Sequence, residues 1–172
     1  MVLGAHALAQ SVPAKITVAS TAFTANQPIP AMYTGDGRDV SPPLTWTGAP
    51  AATREFALIC DDPDAPMPVP FVHWVIYKIP AAARGLPEGV PHASTVSGVA
   101  ALTGALQGLT GFGAAGYNGP APPPGSAHRY HFTVYALNAP LAVRTGVDKN
   151  ALLDAMKGHI IGEGTLIGTY QR

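Results

Sequence analysis

The chain has 172 residues, with ten basic and ten acidic side chains, 47% hydrophobic residues and 12% charged residues. This length fits one domain of ordinary size, and the apolar content is sufficient for a core. A balanced charge without a cluster of Lys and Arg argues against nucleic-acid binding, because neutralising phosphates requires a basic surface. The same composition argues against electrostatic docking on an anionic membrane.

The first residues are similar to the end of a secretory leader. Ala7-Leu8-Ala9 has the small-x-small pattern of a signal-peptidase site, although the short segment before it carries no Lys or Arg. We interpret residues 1–14 as the remnant of a leader, with a disordered start as the alternative, and residues 15–172 as a single domain. A leader predicts a periplasmic or secreted protein, and a cytoplasmic protein is the alternative.

Eighteen prolines and nineteen glycines, spread along the chain, indicate many short elements joined by ordered turns. Alternating or β-branched runs predict strands. The predicted strands are 15–20, 55–60, 73–79, 130–137 and 165–170. The lone Cys60, inside an apolar run, is interpreted as a small core residue. Mostly β structure is therefore expected.

One helix is predicted near the end of the sequence. Asp148 is a good N-cap, Leu152, Met156 and Ile160 recur at intervals of four, and Gly162 suits the stop. This helix is expected to pack on the flank or end of a sheet sandwich. Residues 94–116 have no clear period, so a surface loop and a short helix around 99–106 both remain open.

Two stiff loops carry polar side chains. The first, Asp61-Asp62-Pro63-Asp64-Ala65-Pro66, holds three carboxylates, and its prolines restrict the backbone and remove two amide donors. The second loop, 119–125, contains four prolines and precedes His128. A rigid loop suits a preformed site. The alternative is that the carboxylates only cap local amides as Asx turns.

Two histidines lie on apolar faces of predicted strands. By the period of two, His128 shares a face with Tyr130, and His131 lies on the opposite, exposed face. The same rule gives His73 a face shared with Val75, Tyr77 and Ile79. A lone histidine on such a face is usually a satisfied core residue, but two histidines beside stiff loops favour a shared site.

Ordered blocks of sequence carry a family resemblance. The blocks are Asp36-Gly37, Val40 to Trp46, Asp62 to Pro66, His73-Trp74, Gly116 to Gly125, His128 to Tyr130, Gly158-His159 and Gly168 to Tyr170. Together they resemble the prokaryotic branch of the phosphatidylethanolamine-binding (Raf kinase inhibitor-like) protein family. The resemblance runs from about residue 16 to residue 172. Relative to the family pattern, residues 96–106 look inserted, and we expect them near the pocket rim.

The resemblance implies a β-sandwich with one C-terminal helix, short peripheral helices and a small pocket for phosphate-like or carboxylate-like anions, including a phospholipid head group. The ligand-binding residues that it implies are Asp62, Asp64, His73, Gly119, Pro120, His128 and Tyr130. It implies no cofactor or metal, and it suggests a kinase or protease as a regulated partner. Asp62 is expected to fix a histidine tautomer. Anion binding should then strengthen as pH falls through about 6.5.

Two other functions use the same residues. Asp62 with His73 or His128 would serve as an acid–base pair in a hydrolase or lyase acting on a phosphate-bearing or similar small substrate. The sequence offers no evident nucleophile for it, so a binding protein is favoured over an enzyme. Two histidines and a carboxylate would also suit a metal ion, which receives less weight because the family pattern is metal-free.

Overall fold

The computed structural model describes residues 12–172. Nine strands, two 3-10 helices and one α-helix make up this part of the chain. In chain order they are β1 (Ala14–Lys15), β2 (Thr17–Ala19), a 3-10 helix (Ala31–Tyr33), β3 (Leu44–Thr47), β4 (Glu55–Asp62), β5 (Phe71–Pro80), β6 (Gly85–Leu86), a 3-10 helix (Ala100–Leu102), β7 (Leu106–Gln107), β8 (His128–Leu137), α1 (Lys149–Met156) and β9 (Ile160–Tyr170). The leader prediction falls largely on residues 1–11, which lie outside the described residues.

Two sheets of unequal size form a sandwich. The larger sheet has the strand order β1-β9-β8-β4-β5-β7, and the smaller has the order β2-β3-β6. Strand β4 lies between β8 and β5 and pairs antiparallel with both. The C-terminal end of β4 and the N-terminal ends of β5 and β8 therefore meet at one end of the larger sheet, away from its edge strands. The predicted mostly β sandwich with one C-terminal helix and short peripheral helices is confirmed.

The larger sheet is buried on both faces, which explains the continuous apolar runs in its central strands. Between the sheets, aromatic side chains such as Trp46, Phe56 and Phe132 form the main core. On the outer face, Leu152 and Met156 of α1 pack against the sheet in a second cluster. Cys60 is buried in the main core, as predicted.

The helix begins where the sequence predicts and ends earlier. The Asp148 side chain accepts a hydrogen bond from the Ala151 amide at 2.8 Å, as an N-cap does. The helix ends at Met156, and Gly158 takes a left-handed backbone conformation with φ of 78°. The predicted continuation to Ile160 is wrong, because that residue begins β9.

A β-bulge in β5 determines how His73 is presented. Cys60 pairs with Trp74 and the next residue, Asp61, pairs with Val72, so His73 has no partner in the register. Such an extra residue breaks the alternation of side chains along a strand. Its ring therefore does not follow the period of two.

The predicted face for His73 is consequently wrong. Val75 and Tyr77 pack in the cluster beneath α1, whereas Ile79 packs between the sheets after a second irregularity in the pairing of β5 with β4. The His73 ring lies against Tyr130, with ring centroids 5.1 Å apart. Two bulges divide what the sequence presents as one face.

The contact between β9 and Ile16 gives a test of this packing. In Gly164→Ala, the added methyl group would collide with the carbonyl group of Ile16, whose amide is fixed by a hydrogen bond to Glu163. We expect the free energy of unfolding to fall by about 1–3 kcal/mol, measured by urea denaturation. Thr165→Ala is the control, because it removes only an exposed hydroxyl contact with Thr133. Equal losses in the two variants would contradict this account.

Candidate ligand-binding site

Four buried polar side chains converge at the end of the sheet where β4, β5 and β8 meet. Asp62, His73, His128 and Tyr130 all line one cavity of about 220 Å³. Their exposed fractions are 3%, 4%, 8% and 0%, respectively. The central position of β4 places its last residue, Asp62, between the histidine of β5 and the two residues of β8. We call these four side chains the floor of the cavity.

Asp62 holds His128 by a direct hydrogen bond. The His128 Nδ1 atom lies 2.7 Å from Asp62 Oδ2, and the Asp64 amide donates to Asp62 Oδ1 at 2.8 Å. Both carboxylate oxygens therefore have partners, which a buried carboxylate requires. The neutral His128 ring carries its proton on Nδ1 and keeps Nε2 as an acceptor. The expectation that Asp62 fixes a histidine tautomer agrees with this geometry.

His73 is held by a backbone carbonyl and by neighbouring rings. Its Nδ1 atom lies 2.7 Å from the carbonyl oxygen of Asn118. Its ring contacts Tyr130 and Phe71 edge-to-face, at centroid distances of 5.1 Å and 5.3 Å. Burial lowers the pKa of His73 below its ordinary value, against the opposing effect of the Asn118 carbonyl. The neutral ring donates from Nδ1 and leaves Nε2 free to accept.

The hydroxyl group of Tyr130 is buried without a hydrogen-bond partner among the described residues. Burial raises the pKa of Tyr130 most, and the negative charge and nearby acceptor oxygen of Asp62 raise it further, so the phenol keeps its proton. A buried hydroxyl without a partner is unfavourable. An acceptor atom of a bound ligand would satisfy it.

Asp64 lies at the site but faces away from the cavity. Its carboxylate accepts two hydrogen bonds from the Arg129 guanidinium, at 2.7 Å and 2.9 Å, and one from the Arg129 amide at 2.9 Å. The Arg129 guanidinium lowers the pKa of Asp64 to about 2. Asp64 is not among the residues that line the cavity. Its geometry is that of a clamp between the first stiff loop and β8, and its predicted ligand contact stays a prediction.

Gly119 and Pro120 begin the Pro-rich loop but do not themselves line the cavity. The Gly119 amide donates to Asp39 Oδ1 at 2.6 Å, and the Pro120 carbonyl accepts from the Gly35 amide at 2.9 Å. These contacts anchor the start of the loop. The residues that follow supply the wall of the cavity: Ala121, Pro122 and Pro123. Ligand contact by Gly119 and Pro120 stays a prediction.

The same loop is held from its other side by the residues after β9. The Arg172 guanidinium pairs with Asp36, and its Nε atom lies 2.9 Å and 3.0 Å from the two carboxylate oxygens. The backbone carbonyl of Arg172 accepts a hydrogen bond from the Gly125 amide at 3.3 Å. Gln171 donates to the Gly125 carbonyl at 2.6 Å. The Pro-rich wall therefore depends on contacts between residues far apart in sequence.

Apolar walls surround the floor, and most of them were not expected from the sequence. Phe71 and Phe112 meet edge-to-face with centroids 4.9 Å apart. Met67 and Phe112 are half-exposed at the mouth. The remaining apolar lining residues are Ala65, Pro66, Ala121, Pro122 and Pro123. A phenylalanine between two glycines is the signal that the sequence offers for Phe112.

The stretch 96–106 does not lie at the cavity rim, so that expectation is wrong. It forms the second 3-10 helix and the start of β7, and Val96 and Leu102 pack into the main core. None of its residues lines the cavity. The open alternatives for 94–116 are thus resolved as one short 3-10 helix, one short strand and turns. His131, predicted to be exposed, is partly buried, and its Nε2 atom has no hydrogen-bond partner among the described residues.

Fold and site together define a β-sandwich with a polar pocket at one end of its central strands. A family model described as phosphatidylethanolamine-binding protein matches residues 19–171. The chain belongs to the phosphatidylethanolamine-binding protein family. The chain is similar to prokaryotic homologues within this family.

Curated relatives and solved structures agree with this assignment. The UPF0098 protein of Methanothermobacter thermautotrophicus is 47% identical over 151 residues, which cover 88% of this chain and 95% of the relative. Escherichia coli YbcL, described as a member of the mammalian PEBP family, has a TM-score of 0.83 at 30% identity, covering 91% of this chain and 98% of YbcL. A Chlamydia trachomatis PEBP homologue has a TM-score of 0.79 at 37% identity, covering 94% of this chain and 99% of the homologue.

Two further observations concern metal ions and membranes. Within residues 12–172, no three His, Cys, Asp or Glu side chains are grouped so that they could hold a metal ion. In the same part of the chain, no helix has the length and apolar character needed to cross a bilayer.

The support of the Pro-rich wall can be tested by Arg172→Ala. Removing the guanidinium breaks its ion pair with Asp36, and we expect the Gly125 amide to exchange with solvent about three to ten times faster because the loop opens more often. Hydrogen exchange followed by NMR measures this rate. The Gly108 amide, bonded to Val75 far from the loop, is the internal control. An unchanged Gly125 rate would show that the ion pair does not hold the wall.

Proposed function

We propose that this protein binds small anions in the cavity above Asp62, His73, His128 and Tyr130. The observation that carries the proposal is the buried Tyr130 hydroxyl, which has no partner among the described residues and lines the same cavity as both histidines. A phosphate or carboxylate oxygen would give this donor an acceptor within normal hydrogen-bond geometry, which the nearby Asp62 carboxylate does not provide. Anion binding is typical of the family to which the chain belongs.

The charges around the cavity indicate how an anion would be accommodated. No Lys or Arg belongs to the lining, and the nearby Arg129 is paired with Asp64. Within the lining, positive charge can therefore come only from the histidines when they are protonated. Once charged, His128 can donate from Nδ1 to Asp62 and from Nε2 to the ligand. Binding is thus expected to be coupled to proton uptake.

Our proposal extends to a regulatory or inhibitory role towards a kinase or protease, which family resemblance suggests. It also includes a periplasmic or secreted location, supported by the leader-like residues near the start of the sequence. Fractionation of cells expressing the full chain would test the location. Recovery in the cytoplasmic fraction alone would contradict it.

A second candidate is an enzyme, favoured by the Asp62–His128 pair. A carboxylate that holds Nδ1 leaves Nε2 as a general base. The lining contains no Ser, Thr, Cys or Lys that could act as a nucleophile, so a bound water would have to be activated. Incubation with p-nitrophenyl phosphate would test this candidate, which requires turnover that disappears in His128→Gln.

The binding proposal predicts a specific effect of His128→Gln. A single amide group cannot bond Asp62 and the ligand from two separate nitrogen atoms as the imidazole ring can, so the affinity for inorganic phosphate should fall at least about tenfold. Isothermal titration calorimetry measures this affinity. His92→Gln is the matched control, because His92 is exposed and outside the cavity. Equal phosphate affinities in the wild type and both variants would refute the proposed site.

The burial of His73 predicts that the anion affinity increases as pH falls. Burial holds the pKa of free His73 below its ordinary value, whereas a bound anion stabilises the charged ring and raises that pKa. Between the two values binding takes up a proton, so the association constant rises as pH falls, by up to about tenfold per pH unit. It levels off below the pKa of the free protein.

Sulfate is a suitable probe, because it stays a dianion across this range. Its affinity should be measured by calorimetry from about pH 8 to about pH 5, with circular dichroism confirming the fold at each pH. His73→Gln should show a shallower dependence than the wild type. A flat profile for the wild-type protein would contradict proton-coupled binding.

A further inference from the structure

The cavity is larger and more apolar than a bare anion requires. Its volume is about 220 Å³, whereas a tetrahedral anion displaces roughly two or three waters of about 30 Å³ each. The floor holds all four polar side chains of the lining, and the other eight lining residues are apolar. An anion held on the floor would therefore leave the apolar part of the cavity unfilled.

The apolar part has a preformed aromatic side. Phe71 and Phe112 are in edge-to-face contact with each other, and Phe112 also lies 6.0 Å from the His73 ring. Phe71 packs on Gly111, where an added Cβ would lie 2.6 Å from the ring. Because Gly111 has no side chain, the Phe71 and Phe112 rings can keep these positions at the mouth.

Opposite polarity separates the floor from the mouth. At the mouth, Phe112 is 55% exposed and Met67 is 53% exposed. Because burying apolar surface is favourable, a ligand group that covers these two side chains would bind more tightly. Pro122 and Pro123 add rigid apolar surface, which loses little conformational entropy on binding.

The lining also disfavours a positively charged substituent on the ligand. Asp62 is its only carboxylate, and both oxygens of Asp62 already accept hydrogen bonds, from His128 and from the Asp64 amide. An ammonium group in the mouth would therefore find no carboxylate that is free of other partners, so it gains less there than an aromatic ring does.

Building on the proposed anion site, we infer that its ligands are small esters or acids whose anionic head carries an aromatic group. The head occupies the floor, where Tyr130 and the protonated histidines donate hydrogen bonds. The ring occupies the mouth and packs edge-to-face with Phe71 and Phe112 and against the proline wall. Selectivity for the substituent thus resides in the apolar walls, and recognition of charge resides in the floor.

Three sulfate monoesters test this inference because their heads keep the same single charge at the working pH. We expect phenyl sulfate to bind at least about tenfold more tightly than methyl sulfate, and 2-aminoethyl sulfate to bind no better than methyl sulfate. Calorimetry on the full chain gives the three affinities. Equal affinities for phenyl and methyl sulfate, or tightest binding of the aminoethyl ester, would overturn the inference.

Variants at the mouth assign the selectivity to particular residues. Phe112→Ala should reduce the phenyl-to-methyl affinity ratio to about twofold or less, and Phe112→Leu should restore part of it. Leu109→Ala is the matched control, because Leu109 is an exposed apolar residue outside the cavity lining. An unchanged ratio in Phe112→Ala would overturn the inference.

The outcomes separate this inference from the proposed function on which it rests. If methyl and phenyl sulfate both bind with equal affinity and both depend on His128, the anion site stands and aromatic selectivity fails. If neither ester binds and inorganic phosphate does not bind, the anion site fails as well.

Discussion

The buried hydrogen bond between Asp62 and His128 is the interaction on which the rest of the site depends. A carboxylate removed from water is strongly destabilised unless its oxygens are satisfied, and Asp62 finds its two partners in His128 and the Asp64 amide. Because Asp62 ends the central strand β4, this contact joins the end of β4 to the start of β8. The turn that brings the Asp64 amide to Asp62 also directs the Asp64 carboxylate to Arg129. Stabilising one buried charge therefore shapes both the floor of the cavity and the loop beside it.

A second constraint is the irregular pairing of β5. The bulge beside Trp74 releases His73 from the alternation of its strand, and edge-to-face contacts with Tyr130 and Phe71 then determine where its ring lies. Rings thus form a continuous series from the buried floor to the half-exposed mouth. This arrangement divides the cavity into a polar part suited to charge and an apolar part suited to a substituent. It also explains the low pKa of His73, which is surrounded by rings rather than water.

The Pro-rich wall shows how a loop without regular secondary structure becomes part of a rigid site. Prolines limit its backbone freedom, and its two ends are tied to different parts of the chain. Asp39 and Gly35 hold the beginning, while Gln171 and Arg172 hold the end. All these contacts join residues that are distant in sequence, so the wall forms only when the sandwich is assembled.

The sequence by itself determined the long strands, the N-cap of the helix, the two stiff loops and, through the family resemblance, the four residues of the floor. Those features follow from local periodicity, turn chemistry and ordered motifs, which are properties of neighbouring residues. Only the tertiary structure decided that His73 leaves the face of Val75, that Asp64 turns away to Arg129, and that Phe71 and Phe112 form the mouth. A bulge, an ion pair between a loop and a strand, and a contact between a strand and a Gly-rich turn each depend on pairing between distant segments, which no local pattern in the sequence encodes.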